Sequence, residues 1–73
     1  MKTTFRTPMQ VLVNQIPHKL AEGATLADAL TLAGARPPFA AALNLQFVPK
    51  TRYAQTPLQA GDQIEIIAPI TGG

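Results

Sequence analysis

Seventy-three residues, 47% hydrophobic and 14% charged, suit one small globular domain rather than a disordered chain. The absence of cysteine removes disulfides, thiolate catalysis and cysteine-bound metal, and a single histidine, His18, leaves no basis for a histidine triad or a conventional metal cluster. The net charge of +2 comes from six scattered Lys and Arg against four Asp and Glu, with no basic run, no stacked aromatic series for nucleic acid, and no apolar stretch near the ~20 residues of a membrane span.

Met1 to Pro8 is polar, ends in a proline and reads as a flexible leader. It lacks the apolar centre of a signal peptide, so the cytoplasm is the default location. Regular patterning starts at Met9, which could itself serve as a start. Met9, Val11 and Val13 alternate with Gln10, Leu12 and Asn14, the period-2 pattern of a strand with one apolar face. Asn14-Gln15 is a turn signal, because asparagine tolerates positive φ. Ile16 to Leu20 then forms a second strand and closes an antiparallel hairpin, with Pro17 favouring the sheet edge. His18 on that edge is read as structural or solvated.

Thr25, with Asp28 three residues on, is a helix start of the capping-box kind. Leu26, Ala29, Leu30 and Ala33 recur at helical spacing and define a buried stripe. Gly34 suits a C-terminal cap, Pro37-Pro38 blocks continuation, and the helix should run about ten residues. Phe39 to Leu43 reads as a buried strand, Asn44-Leu45-Gln46 as a turn, and Phe47-Val48 as a brief strand stopped by Pro49. Lys50 to Thr56 is irregular or a helical turn, with Tyr53 packed on the core and Lys50 and Arg52 solvated. Leu58 is an isolated anchor, and Ala60-Gly61-Asp62 a turn with the glycine at positive φ.

Ile64-Glu65-Ile66-Ile67 is rich in β-branched residues and forms the last strand, which Pro69 ends. Ile70, Thr71, Gly72 and Gly73 follow as a flexible tail. Gly-Gly has no side chain at either position and can pass through a slot that other pairs would jam. A free terminus there would make its carboxylate the working group of the protein. The chain thus divides into a leader, 1–8, a folded domain, 9–69, and a tail, 70–73. On the last strand Ile64 and Ile66 should face the helix and Glu65 and Ile67 the outside. Ile67, with Leu12 or Leu45, is a candidate apolar patch for a partner; ordinary exposure in a small domain is the alternative.

The element order is strand, strand, helix, strand, short strand, strand. The helix serves as a crossover that lets the first and last strands lie side by side in parallel. The fold class is therefore α+β: a mixed sheet of four to five strands over one main helix, the β-grasp arrangement, as in ubiquitin.

Five motifs stand in order from Val13 to Gly73: Val13-Asn14; Gly23-Ala24-Thr25-Leu26; Asn44-Leu45-Gln46-Phe47-Val48-Pro49; Leu58-Gln59-Ala60-Gly61-Asp62-Gln63-Ile64-Glu65; and Gly72-Gly73. In these the chain from Met9 to Gly73 resembles the ThiS family of bacterial sulfur carrier proteins of thiamine biosynthesis, ubiquitin-like β-grasp proteins. Residues 1–8 precede the usual family start. The resemblance implies that an E1-like adenylyltransferase of ThiF type adenylates the Gly73 carboxylate with ATP. A sulfur donor such as a cysteine desulfurase then provides the sulfur of a thiocarboxylate at Gly73, and a thiazole synthase of ThiG type takes it up. Ile70, Thr71 and Gly72 thread the terminus into the partner's site. The carrier binds no cofactor or metal and is no enzyme itself.

The chemistry fits these residues. A carboxylate is ionised near neutral pH and is a poor electrophile, so it needs activation. Four residues beyond Pro69, at roughly 3.3 Å each, reach about 13 Å into another protein. Two other functions share the activated terminus: the small subunit of molybdopterin synthase and a ubiquitin-like modifier of lysines. The molybdopterin family usually carries aromatic residues and a Pro-Pro pair before its tail, where this chain has Ile66-Ile67-Ala68-Pro69. A binding-only β-grasp domain is the remaining reading.

Overall fold

A computed structural model describes residues 8–68; the segments 1–7 and 69–73 lie outside the described residues, and with them the expected tail and most of the expected leader. Strands β1 (Met9–Val13) and β2 (Ile16–Leu20) are followed by helix α1 (Leu26–Leu32), strands β3 (Ala40–Leu43) and β4 (Gln46–Val48), a 3₁₀ segment (Lys50–Gln55) and strand β5 (Gln63–Ile67). They form one mixed sheet in the order β2-β1-β5-β3-β4, so the last strand lies in its centre. β5 runs parallel to β1, with Val13 opposite Ile64, and antiparallel to β3, with Ala41 opposite Ile66. This is the expected β-grasp sheet with five strands.

Both hairpins close through two residues at positive φ: Asn14 (50°) and Gln15 (69°), and Asn44 (51°) and Leu45 (70°). Such turns match the twist of the strands they join. The second is one residue tighter than the pattern suggests, and Gln46 belongs to β4 rather than to the turn.

The side of the sheet facing α1 is the apolar one. Met9, Val11, Val13, Leu20, Ala41 and Ile64 pack with Leu26, Ala29 and Leu30 of α1 and with Leu58 in one buried cluster. Leu26, Ile64 and Val11 are its largest fully buried side chains. α1 begins with the expected capping box: the Thr25 hydroxyl accepts the Asp28 N–H, and the Asp28 carboxylate accepts the Thr25 N–H. The 56–58 segment ties down the same end, since the Thr56 carbonyl accepts the Leu26 N–H (2.8 Å) and the Leu58 N–H donates to the Ala24 carbonyl (3.0 Å).

At its other end α1 is shorter than the expected ten residues. Gly34 takes φ 77° and donates its N–H to the Thr31 carbonyl, while the Ala35 N–H reaches back to the Leu30 carbonyl. That Schellman closure turns the chain away after Ala33. β3 likewise starts at Ala40, not Phe39, and the Phe39 ring stacks on Tyr53 with centroids 5.9 Å apart.

Candidate functional site

β5 leads to the C-terminal segment, and it is held on both sides. At its start, the Leu12 N–H donates to the Asp62 carbonyl (2.9 Å) and the Asn44 N–H to the Gln63 carbonyl (2.7 Å). The Asn44 side-chain oxygen accepts the Gln63 N–H (2.9 Å), and its Nδ2 donates to Asp62 Oδ1 (3.1 Å). The other Asp62 oxygen accepts the Gln59 N–H (2.8 Å) and braces the preceding turn. In that turn the Asp62 N–H donates to the Gln59 carbonyl, with Gly61 at φ 88° in the third position, as a type II turn requires.

Near its end, β5 is held by Asn14. The Asn14 N–H donates to the Ile64 carbonyl (2.8 Å), and the Asn14 side-chain oxygen accepts the Ile66 N–H (2.8 Å). Each hairpin thus begins its turn with an asparagine that does two things. Its backbone takes the left-handed conformation, and its amide reaches across to the central strand. The motif pattern contains both asparagines, but the sequence reading placed them only in turns, with positive φ assigned to Asn14 alone.

The sheet face away from α1 carries the second feature. Strand alternation and pairing put Leu12, Gln63, Glu65, Ile67, Ala40, Ala42 and Phe47 on that side. Phe47 and Glu65 are both register partners of Ala42, so they lie in one row across the sheet. Ile67 is 55% exposed and Phe47 70%, large values for such side chains on the flat of a sheet. Leu12 is half-buried beside Gln63, and Leu45, 83% exposed, sits at the tip of the β3–β4 turn rather than on the face. Sequence reasoning did not single out Phe47; the signal was its place three residues after Asn44, which sets the face once the turn has two residues.

Ile70, Thr71, Gly72 and Gly73 lie outside the described residues. Among the described residues no three His, Cys, Asp or Glu side chains come together as a metal site, and no helix is long and apolar enough to cross a membrane. A groove of about 500 Å³ lies on the helix side, lined by Leu30, Pro37, Phe39, Tyr53 and Lys50 among others. A smaller hollow of about 350 Å³, lined by Leu12, Gln15, Gln63, Ile64 and Glu65, opens where β1 turns away from β5.

Comparison with known proteins agrees with this geometry. The family model described as the ThiS family matches residues 9–73. The sulfur carrier protein ThiS of Escherichia coli (strain K12) is 39% identical over 66 residues, which cover 89% of this chain and all of that protein. The crystal structure of the thiamine biosynthesis protein ThiS from Geobacter metallireducens superposes with a TM-score of 0.73 at 22% identity, covering 89% of this chain and all of that one.

Proposed function

The chain belongs to the ThiS family, and from that premise we propose that it is a sulfur carrier of thiamine biosynthesis whose working group is the carboxylate of Gly73. The observation that carries the reading is the family match through residue 73, which includes both terminal glycines. The fold supports it. The segment that bears Gly73 follows directly on the central strand, which is braced by Asn44 at its start and by Asn14 near its end.

In this reading an E1-like enzyme of ThiF type binds the carrier and couples the Gly73 carboxylate to AMP, releasing pyrophosphate from ATP. The outer sulfur of a donor's persulfide, such as one formed by a cysteine desulfurase, attacks the acyl carbon and displaces AMP to give an acyl disulfide. A thiol then reduces that disulfide, leaving the thiocarboxylate at Gly73 and a disulfide on the donor side. A thiazole synthase of ThiG type then takes the sulfur. The carrier contributes no catalytic group. It presents the acyl carbon to sites that must hold it within about 3–3.5 Å of an attacking atom. A side chain at position 73 would crowd that carbon, and glycine removes it. Gly72, Thr71 and Ile70 span the distance between the domain and the partner's site.

Docking uses the sheet face away from α1. Ile67 and Phe47 supply its apolar area, Leu12 extends it towards β1, and Leu45 contributes from the rim.

Intact-mass measurement tests the reading. The carrier is incubated with its activating enzyme, ATP and a sulfur source, and the replacement of one oxygen by sulfur is expected in the intact chain and not in a Gly73 deletion. Equal sulfur uptake by the deletion would sink it. Higher-mass conjugates would instead indicate a protein modifier, and restored molybdoenzyme activity with no relief of thiamine auxotrophy would indicate a molybdopterin carrier.

A further inference from the structure

β1 stops one step before the β1–β5 ladder would be complete. Leu12 and Asn14 donate in turn to the carbonyls of Asp62 and Ile64 along β5. In a parallel ladder the next bond would run from the Ile66 N–H to the backbone carbonyl of Asn14. Asn14, however, is already in the turn at φ 50°, and the chain leaves for β2. The Ile66 N–H is met instead by the Asn14 side-chain oxygen at 2.8 Å.

We propose that Asn14 is the positioning residue that fixes where the C-terminal segment departs from the sheet, its side-chain oxygen standing in for its own backbone carbonyl at the last rung of the β1–β5 ladder. This rests on the sulfur-carrier reading above. On the β3 side the last pair is Ala40 with Ile67, next to the edge of a four-residue strand. Without the Asn14 contact, Ile66 and Ile67 are held from that side alone. Residues released from the sheet must be ordered again each time a partner takes up the segment, and that entropy opposes docking. The cost falls on formation of the complex, not on the chemical step once the carboxylate is seated.

Two substitutions separate the hydrogen bond from the turn. Asn14→Gly keeps the positive φ and removes the acceptor; Asn14→Asp keeps both an acceptor oxygen and a tolerance for that conformation. Amide exchange followed by NMR reads the bond directly. Ile66 should exchange about five- to tenfold faster in Asn14→Gly, the weight of one hydrogen bond, and close to the wild-type rate in Asn14→Asp, while the Ala29 amide in α1 is unchanged.

Sulfur uptake is then followed against carrier concentration with the activating enzyme, ATP and a sulfur source. Asn14→Gly should raise KM roughly three- to tenfold at an unchanged plateau rate, and Asn14→Asp should restore it. A purely structural role would lower the melting temperature and leave the KM of the folded carrier alone. Wild-type KM in Asn14→Gly, with the Ile66 amide deprotected, overturns the positioning role and leaves the carrier reading intact. An Ile66 amide equally protected in both variants overturns the role at its first step. A wild-type chain that takes up no sulfur overturns the carrier reading and this inference together.

Discussion

Asn44 and Asp62, eighteen residues apart, are joined side chain to side chain at 3.1 Å, and this pair locks the β3–β4 turn to the turn that launches β5. Asn44 also accepts the Gln63 N–H, and Asp62 accepts the Gln59 N–H, so the contact is the middle of a short chain of hydrogen bonds. Asn44→Gly, which keeps the turn conformation, should cost about 1 kcal/mol, and Asp62→Ala about 1–2 kcal/mol. The two share a bond, so the double variant should fall short of the sum by about 0.5 kcal/mol or more. Urea denaturation of the four proteins measures the cycle, and strict additivity would show that the pair is not coupled.

The core tolerates little loss. Leu26 is fully buried where α1 meets the sheet, and Leu26→Ala should cost about 2–5 kcal/mol. That is a large part of the roughly 4–11 kcal/mol available to a chain of this length. Leu32, on the same helix but 54% exposed, is the control: Leu32→Ala should change stability by no more than about 0.5 kcal/mol. Similar losses at both positions would contradict the placement of the helix.

Gly61 separates backbone strain from packing. It sits at φ 88°, and a Cβ built there meets nothing within 4 Å. Gly61→Ala should therefore cost about 1–2 kcal/mol, the expense of putting an L-residue in the left-handed region, without disturbing the core. Thermal unfolding should show a drop of about 4–8 °C per kcal/mol. An unchanged melting temperature would mean that the turn relaxes to another form.

The sheet face away from α1 should bind. Phe47→Ser and Ile67→Ser remove exposed apolar surface, so folding stability should hold within about 0.5 kcal/mol. Affinity for the activating enzyme should fall by roughly tenfold or more for whichever residue seats in a pocket of the partner. Leu45→Ser, at the rim, should have a smaller effect. Titration calorimetry with the activating enzyme decides this, and wild-type affinity in both Phe47→Ser and Ile67→Ser would place the docking surface elsewhere.

The fold was largely legible in the chain. The alternation of Met9, Val11 and Val13, the Thr25 and Asp28 cap, the Gly34 stop and the β-branched run at Ile64 each act over a few residues, and each is read from its own neighbourhood. The errors were of length. α1 is shorter and the β3–β4 turn tighter than the pattern suggests, because the Schellman closure and the two-residue turn settle boundaries through backbone bonds that composition only hints at. Strand alternation puts Ile67 and Leu12 on one face, while placing Phe47 there needed the register of β3 with β4.

The sequence alone determined the elements, their order and the family, since local periodicity, caps and turn residues carry that information within a few positions. Tertiary structure decided which side chains meet. Asn14 reaches Ile66 across fifty-two residues, Asn44 reaches Gln63 across nineteen, and Phe47 shares a row with Glu65 through Ala42. None of these follows from spacing along the chain. They follow from register, which is fixed when Val11, Val13, Ala41 and Ile64 must all turn to the same helix, and a slip of one residue would send every one of them to the opposite face.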